Sequence, residues 1–196
     1  MSQLRPDLAV IARHVAPGSR VLDIGCGDGE LMDALSRDKG VDARGIEVDS
    51  DAVEKCVARG LSAIQGDANR DLADYPDDAF DYAVLSQTLQ TAERPDLMLD
   101  ELLRIGRKAF VSFPNFAHWR MCASLLWNGR MPVTRHLPVS WYETQNIHHV
   151  TVTDFRQLLA DKGVSIERSW FFSGDKELGP LGANWRAEYA VYLLSR

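Results

Sequence analysis

Hydrophobic positions along this chain recur in two alternating rhythms. Leu4, Leu8, Ile11 and Val15 share one face of a helix, which Pro17-Gly18 terminates. Residues 20–24 (RVLDI) then form a short apolar run that predicts a strand leading directly into Gly25-Cys26-Gly27-Asp28-Gly29. Leu31, Met32 and Leu35 mark the next helix, closed near Gly40. The alternation continues with a strand over 43–48, a helix through Val53, Cys56 and Val57 stopped at Gly60, and a third strand over 61–65. A fourth strand is expected over 80–85, then a helix carrying Met98, Leu102 and Ile105, then a fifth strand over 108–113. These strand runs are nearly continuous in hydrophobicity, as strands buried on both faces should be. Strands alternating with helices of about ten residues describe βαβ units and a parallel sheet covered on both sides.

After Pro114 the rhythm breaks. Residues 116–147 carry Pro132, Pro138 and several aromatics, with one helix expected around 116–127. Thr153 is placed to cap a helix with Phe155, Leu158 and Leu159 that Gly163 ends. Two final strands, 164–172 and 188–194, flank a Gly- and Pro-bearing loop over 174–182. The expected fold is therefore α/β and Rossmann-like: a doubly wound, mostly parallel seven-stranded sheet in one domain (1–196), with an insertion at about 116–150 after the fifth strand.

Composition narrows the class. The chain has 196 residues, a length suited to one domain, and its 45% hydrophobic and 26% charged residues are those of an ordinary globular protein with one core. No uncharged run approaches the roughly 18–20 residues of a membrane span; the longest candidates, 109–119 and 121–129, are short and separated by Arg120. The first residues read as an amphipathic helix with Arg5, Asp7 and Arg13, which excludes the pattern of a secretory signal. Cys26, Cys56 and Cys122 are odd in number and widely spaced, so a reducing cytoplasm is the simplest home.

The net charge of −6 conceals a partition. Residues 1–101 carry −11, whereas 102–141 contain no Asp or Glu and six cations: Arg104, Arg107, Lys108, Arg120, Arg130 and Arg135. That basic stretch also holds Phe110, Phe113, Phe116, Trp119, Trp127 and Trp141, with Tyr142 following. It meets either an anionic or protein partner, or the domain's own acidic half. The acidic balance and the absence of a recognised motif argue against nucleic acid.

The strand–GCGDG–helix junction is the strongest local signal. Gly25 and Gly27 permit close approach of a ligand to the backbone, and the following helix offers free N–H groups. A ligand belongs at the carboxyl end of this strand, where strand order reverses. The dinucleotide fingerprint GxGxxG fails at Glu30, a poor neighbour for pyrophosphate; Gly29 gives GxGxG instead, preceded by Asp23.

These residues resemble the first motif of class I S-adenosylmethionine-dependent methyltransferases. By that analogy Asp23 and Gly25 would flank the amino-acid end of the cofactor, with Cys26 and Gly27 also counted as cofactor-binding. Glu47, with Val48 after it, resembles the acidic residue that accepts from the ribose hydroxyls; Asp67, with Ala68 beside the ring, resembles the residue that contacts the adenine amino group. Residues 80–90 (FDYAVLSQTLQ), including Ser86, resemble the fourth strand and the loop bordering the methyl group. The resemblance covers about 18–115 and the terminal strands, and it implies S-adenosylmethionine as cofactor.

The reacting end is less explicit. Ser86-Gln87-Thr88 stands where methyltransferases acting on exocyclic amines carry an Asn/Asp-Pro-Pro-aromatic motif, so that chemistry is disfavoured. His118, His148 and His149 are candidate bases, with loop roles as the alternative for the last two, and the histidine spacing, His136 included, matches no metal motif. Cys26 lies near a helix start, which lowers a thiol pKa, although packing is the commoner role for such a cysteine.

Over its full length the chain resembles the MetW family of methionine biosynthesis proteins. The carrying segments are VLDIGCGDGEL (21–31), GIEVD (45–49), QGDANRDL (65–72), DYAVLSQTLQ (81–90), SFPNFAHWRMCASLLWNGRMPVT (112–134), WYETQNIHHVTVTDF (141–155) and NWRAEYAVYLL (184–194). The resemblance implies support of a homoserine O-acyltransferase as an accessory subunit; no membrane partner is expected, given the short uncharged runs. Three functions are thus expected to compete: an accessory protein whose basic-aromatic segment docks on the acyltransferase, a genuine methyltransferase in which that segment is a lid, and, least, a dinucleotide-dependent oxidoreductase.

Overall fold

A computed structural model of the chain describes residues 4–134, 140, 141 and 143–196. Arg135, His136, Pro138 and Tyr142, which figured in the sequence reading, lie outside the described residues. The chain runs α1 (Pro6–His14), β1 (Arg20–Ile24), α2 (Glu30–Lys39), β2 (Asp42–Glu47), α3 (Ser50–Ala58), β3 (Ser62–Gln65), α4 (Ala68–Asp71), β4 (Phe80–Ser86), α5 (Pro95–Ile105) and β5 (Gly106–Pro114). There follow α6 (Trp119–Asn128), α7 (Val152–Asp161), β6 (Ser165–Ser173), β7 (Lys176–Leu178), α8 (Ala183–Arg186) and β8 (Tyr189–Ser195).

The sheet order is β3-β2-β1-β4-β5-β8-β6-β7. The first five positions are parallel and the last three antiparallel. The described sheet has eight strands rather than the seven expected. The extra one, β7, lies within the expected 174–182 loop, where three residues pair back onto the end of β6. Too short to show a periodicity, it is a strand only through that hairpin.

Each sheet face carries its own core. Leu8 and Ile11 of α1, Leu31, Met32 and Leu35 of α2 and Cys56 of α3 cover one face with Val21, Val84 and Phe110. Leu99, Leu102 and Leu103 of α5 and Phe155 and Leu159 of α7 cover the other with Leu22, Ile24, Leu85, Val111 and Tyr192. β1 therefore presents alternate residues to two cores, which is why its sequence is apolar at nearly every position. Its neighbours β2 and β4 continue the chain in opposite directions across the sheet, and in open α/β sheets such a reversal puts the binding crevice at the carboxyl end of the strand, here β1.

One local feature corrects the sequence reading. The cap of α7 is Thr151, not Thr153: its hydroxyl accepts from the amide of Asp154 at 3.0 Å. Both threonines precede acidic or apolar helical positions, and periodicity alone fixes no starting residue. The buried Asn115, just after β5, ties the insertion to the core. Its amide donates to the carbonyls of Asn184 and Ala187 (2.8 and 2.7 Å) and accepts from the backbone of Ala117 and Val152 (both 3.2 Å). No described helix is long and apolar enough to cross a membrane.

Candidate functional site

The crevice begins at the glycine loop. Gly25 has φ +72°, and a Cβ there would lie 2.5 Å from Thr88 Oγ1, so loop and β4–α5 connection meet with no room for a side chain. Gly29, also left-handed at φ +75°, is the N-cap of α2, and no side chain caps that helix. The glycine that departs from the dinucleotide fingerprint is thus the one that turns the chain into the helix, leaving its first amides available.

Glu47 ends β2 and faces this loop. Its Oε2 accepts from the Gly27 amide at 2.9 Å, and its Oε1 accepts from Val48 and Asp49 at 2.8 and 3.1 Å. Three amides hold the carboxylate rigidly while lone pairs remain for hydroxyl donors. Val48, next in the chain, is exposed. Asp67 caps α4 by accepting from the Asn69 amide at 3.0 Å, and Ala68 is that helix's first residue. Short elements after β2 and β3 thus place Glu47, Val48, Asp67 and Ala68 along one edge of the sheet, in the order the resemblance assigns to ribose and adenine.

Asp23 is the electrostatic centre. It is buried (3% exposed), and among the described residues no donor hydrogen-bonds its carboxylate. Burial pushes its pKa up to about 7, Arg5 opposes the shift, and Glu47 adds to it. A buried carboxyl without a donor fits a ligand ammonium, the group that the amino-acid end of S-adenosylmethionine carries. Cys26 behaves differently. Its side chain packs toward Gly45 and Met32, and burial, with Asp23, Cys56 and Glu47 nearby, drives its thiol well above the ordinary range. The lowering expected from a helix start is overridden; the Cys26 amide is held by the Ile46 carbonyl at 3.4 Å, and its thiol donates to the Gly27 carbonyl at 3.8 Å.

Ser86 ends β4 and is joined to a residue the sequence reading did not single out. Asp7, on α1 and 1% exposed, has Oδ2 within hydrogen-bonding distance of Ser86 Oγ (3.0 Å), Ser112 Oγ (3.3 Å), Gln87 Nε2 (3.4 Å) and Arg5 Nη2 (3.3 Å). The sequence places Asp7 in an amphipathic helix; it stands three residues after Leu4 and four before Ile11, the helical spacing of the inward face.

The candidate bases separate. His118 is buried at the start of α6 against Trp119, His149 meets Phe116 edge-on with centroids 4.7 Å apart, and His148 lies 3.4 Å from the Glu93 carbonyl. Among the described residues no group of three His, Cys, Asp or Glu side chains is placed to hold a metal. The basic segment divides as well. Arg104 pairs with Glu101 and Asp77, Arg107 with Asp81 and Lys108 with Glu167, so this half neutralises the domain's own acids. Arg120 instead lies over the Trp119 ring at 5.3 Å. Beside it α6 exposes Leu126 (78%) and Trp127 (77%), and Trp141 beyond it is 74% exposed.

A family model described as "Methionine biosynthesis protein MetW" matches residues 5–194. A curated relative from Rhodopirellula baltica, "Bifunctional methionine biosynthesis protein MetXA/MetW", is 35% identical over 182 residues, which are 88% of this chain and 29% of that protein. This chain thus spans less than a third of the relative's length. Among solved structures, a SAM dependent methyltransferase from Archaeoglobus fulgidus superposes with a TM-score of 0.70 at 16% identity, covering 96% of this chain and 92% of that one. An S-adenosylmethionine dependent methyltransferase from Mesorhizobium loti gives 0.70 at 18% identity, covering 96% of each. At these identities the structural likeness shows the fold.

Proposed function

The chain belongs to the family of methionine biosynthesis protein MetW, and on that premise we propose that it binds S-adenosylmethionine in the β1 crevice and serves as an accessory subunit of a homoserine O-acyltransferase. The observation that carries the partner is the relative whose name joins MetXA to MetW in one polypeptide. Fusion keeps two units at high effective concentration, which is useful where separate chains must otherwise find each other. We read the MetXA part as the acyltransferase.

The α6 face supplies the means. Leu126, Trp127 and Arg120 with its stacked Trp119 combine aromatic area and arginine, the residue types that anchor protein interfaces. Asp23, Asp67 and Glu47 supply the cofactor part, with Glu47 set for hydroxyls and Asp23 for an ammonium. Bound S-adenosylmethionine would bring an electrophilic methyl group; the chain's residues orient its two polar ends. In this role the crevice senses the pathway's downstream product.

The test uses both purified proteins. Adding this chain to the acyltransferase should give a complex on size-exclusion chromatography and raise the rate of acyl transfer to homoserine. Separate elution with an unchanged rate contradicts the accessory role. A second reading, methyl transfer to a small molecule, is supported by the two methyltransferase neighbours. Transfer of labelled methyl from the bound cofactor to a metabolite extract separates it from the first.

A further inference from the structure

The amino-acid end of S-adenosylmethionine carries a carboxylate as well as an ammonium, and Asp23 accounts for the ammonium alone. The carboxylate calls for a cation beside Asp23. Ile24 pairs with Leu85, so Gly25 and Ser86 follow side by side at the carboxyl edge of the sheet. Arg5, the residue that precedes α1, reaches this edge. Its Nη2 donates to Ser86 Oγ and to Asp7 Oδ2, both at 3.3 Å.

The Arg5–Asp7 pair is oriented. Asp7 is buried and also takes the Ser86 and Ser112 hydroxyls, which anchors its carboxylate on β4 and β5, while the Arg5 side chain is half exposed. At Asp23 the charge of Arg5 is the one that opposes the effect of burial. At Tyr189, on β8, the charge of Asp7 acts first after burial and that of Arg5 last. Because the nearer charge dominates, the positive end of the pair lies toward Asp23 and the negative end toward β8. Both bonds of the guanidinium fall on Nη2; among the described residues Nη1 and Nε have no partner, which leaves donors for a further anion. Arg5 also lines a cavity of about 880 Å³ together with Glu30, the first residue of α2 after the glycine loop. It therefore borders open space beside that loop.

We propose that Arg5 binds the carboxylate at the amino-acid end of the ligand, so that Arg5 and Asp23 together recognise an intact α-amino acid. The proposal rests on the cofactor reading above and deepens it by giving the site a criterion for rejection. An adenosyl sulfonium that ends in a bare amine keeps adenine, ribose and ammonium, yet it leaves Arg5 without an anion and sets two cations near each other.

Calorimetric titration with S-adenosylmethionine and with its decarboxylated form, which differs only by loss of the carboxylate, tests it. The wild-type chain should bind S-adenosylmethionine at least about tenfold more tightly than the decarboxylated ligand. Arg5→Gln, which removes the charge and keeps an amide donor, should narrow the gap to within about threefold, by weakening S-adenosylmethionine more than its decarboxylated form. Arg5→Ala, which removes charge and donors together, should narrow it at least as far. The half-exposed position of Arg5 lets both variants fold, and their melting temperatures check this. Equal affinities for the two ligands in the wild type, or a gap that persists in both variants, overturn the proposal alone. Absence of binding to either ligand overturns the cofactor reading and the proposal with it.

Discussion

In the proposed site, Asp23 would link the ionisation of the protein to ligand occupancy. In the folded chain it keeps its proton up to about pH 7, whereas its ordinary value is 3.8. The folded state therefore holds this proton more tightly than the unfolded one across that interval. The contribution of Asp23 to stability falls as pH rises from about 4 to about 7 and is fully lost above it. Ligand binding has the opposite sign, because an ammonium needs the ionised carboxylate. Affinity for S-adenosylmethionine should rise with pH up to about 7, with protons released on binding below it, and calorimetry in buffers of differing ionisation enthalpy measures both. Asp23→Asn should flatten the profile; an unchanged pH dependence in that variant refutes the role of Asp23. Gly25 is a steric counterpart. Gly25→Ala should cost about 1–2 kcal/mol in thermal unfolding from its left-handed backbone alone, and should abolish cofactor binding as the new Cβ displaces Thr88. Glu47 and Asp23 were legible because each sits at the end of an apolar run beside a glycine signal. Asp7 was not, since its meaning depends on Ser86 and Ser112, which are 79 and 105 residues away.

At the scale of elements, periodicity located β1 to the residue and the other parallel strands within one or two positions, because burial on both faces leaves little choice of composition. The segment after β5 was harder. Its packing depends on single polar residues such as Asn115, whose side chain meets four backbone groups from three separate stretches. Asn115→Ala leaves two carbonyls and two amides without that partner and should destabilise the chain by about 2 kcal/mol or more in denaturant unfolding. A loss below about 0.5 kcal/mol, the scale of an ordinary surface change, would show that the insertion is held otherwise. The α6 face carries the opposite expectation. Trp119→Ala with Trp127→Ala should leave the melting temperature nearly unchanged yet weaken a complex with the acyltransferase about tenfold or more. Equal affinity of the double variant removes this helix from the interface.

For the whole molecule, the acidic first half and the basic middle acquire a structural meaning. Arg104, Arg107 and Lys108 are spent on internal ion pairs, while Arg120 belongs to an exposed aromatic face, so the charge partition serves folding and surface alike. Sequence motifs located the crevice because its parts follow one another along β1, β2, β3 and β4; they gave no view of what α1 and the last strands add from the far ends of the chain. The crevice and the α6 face are built from different elements, so the proposed ligand and the proposed partner would meet different parts of the molecule. Calorimetric titration of the ligand-free protein, with NAD as control, decides whether the crevice is an S-adenosylmethionine site. Saturable binding of S-adenosylmethionine at one site per chain is expected, lost in the Asp23→Asn, Glu47→Ala double variant, with none of NAD. No heat from S-adenosylmethionine, or equal binding of NAD, would contradict it.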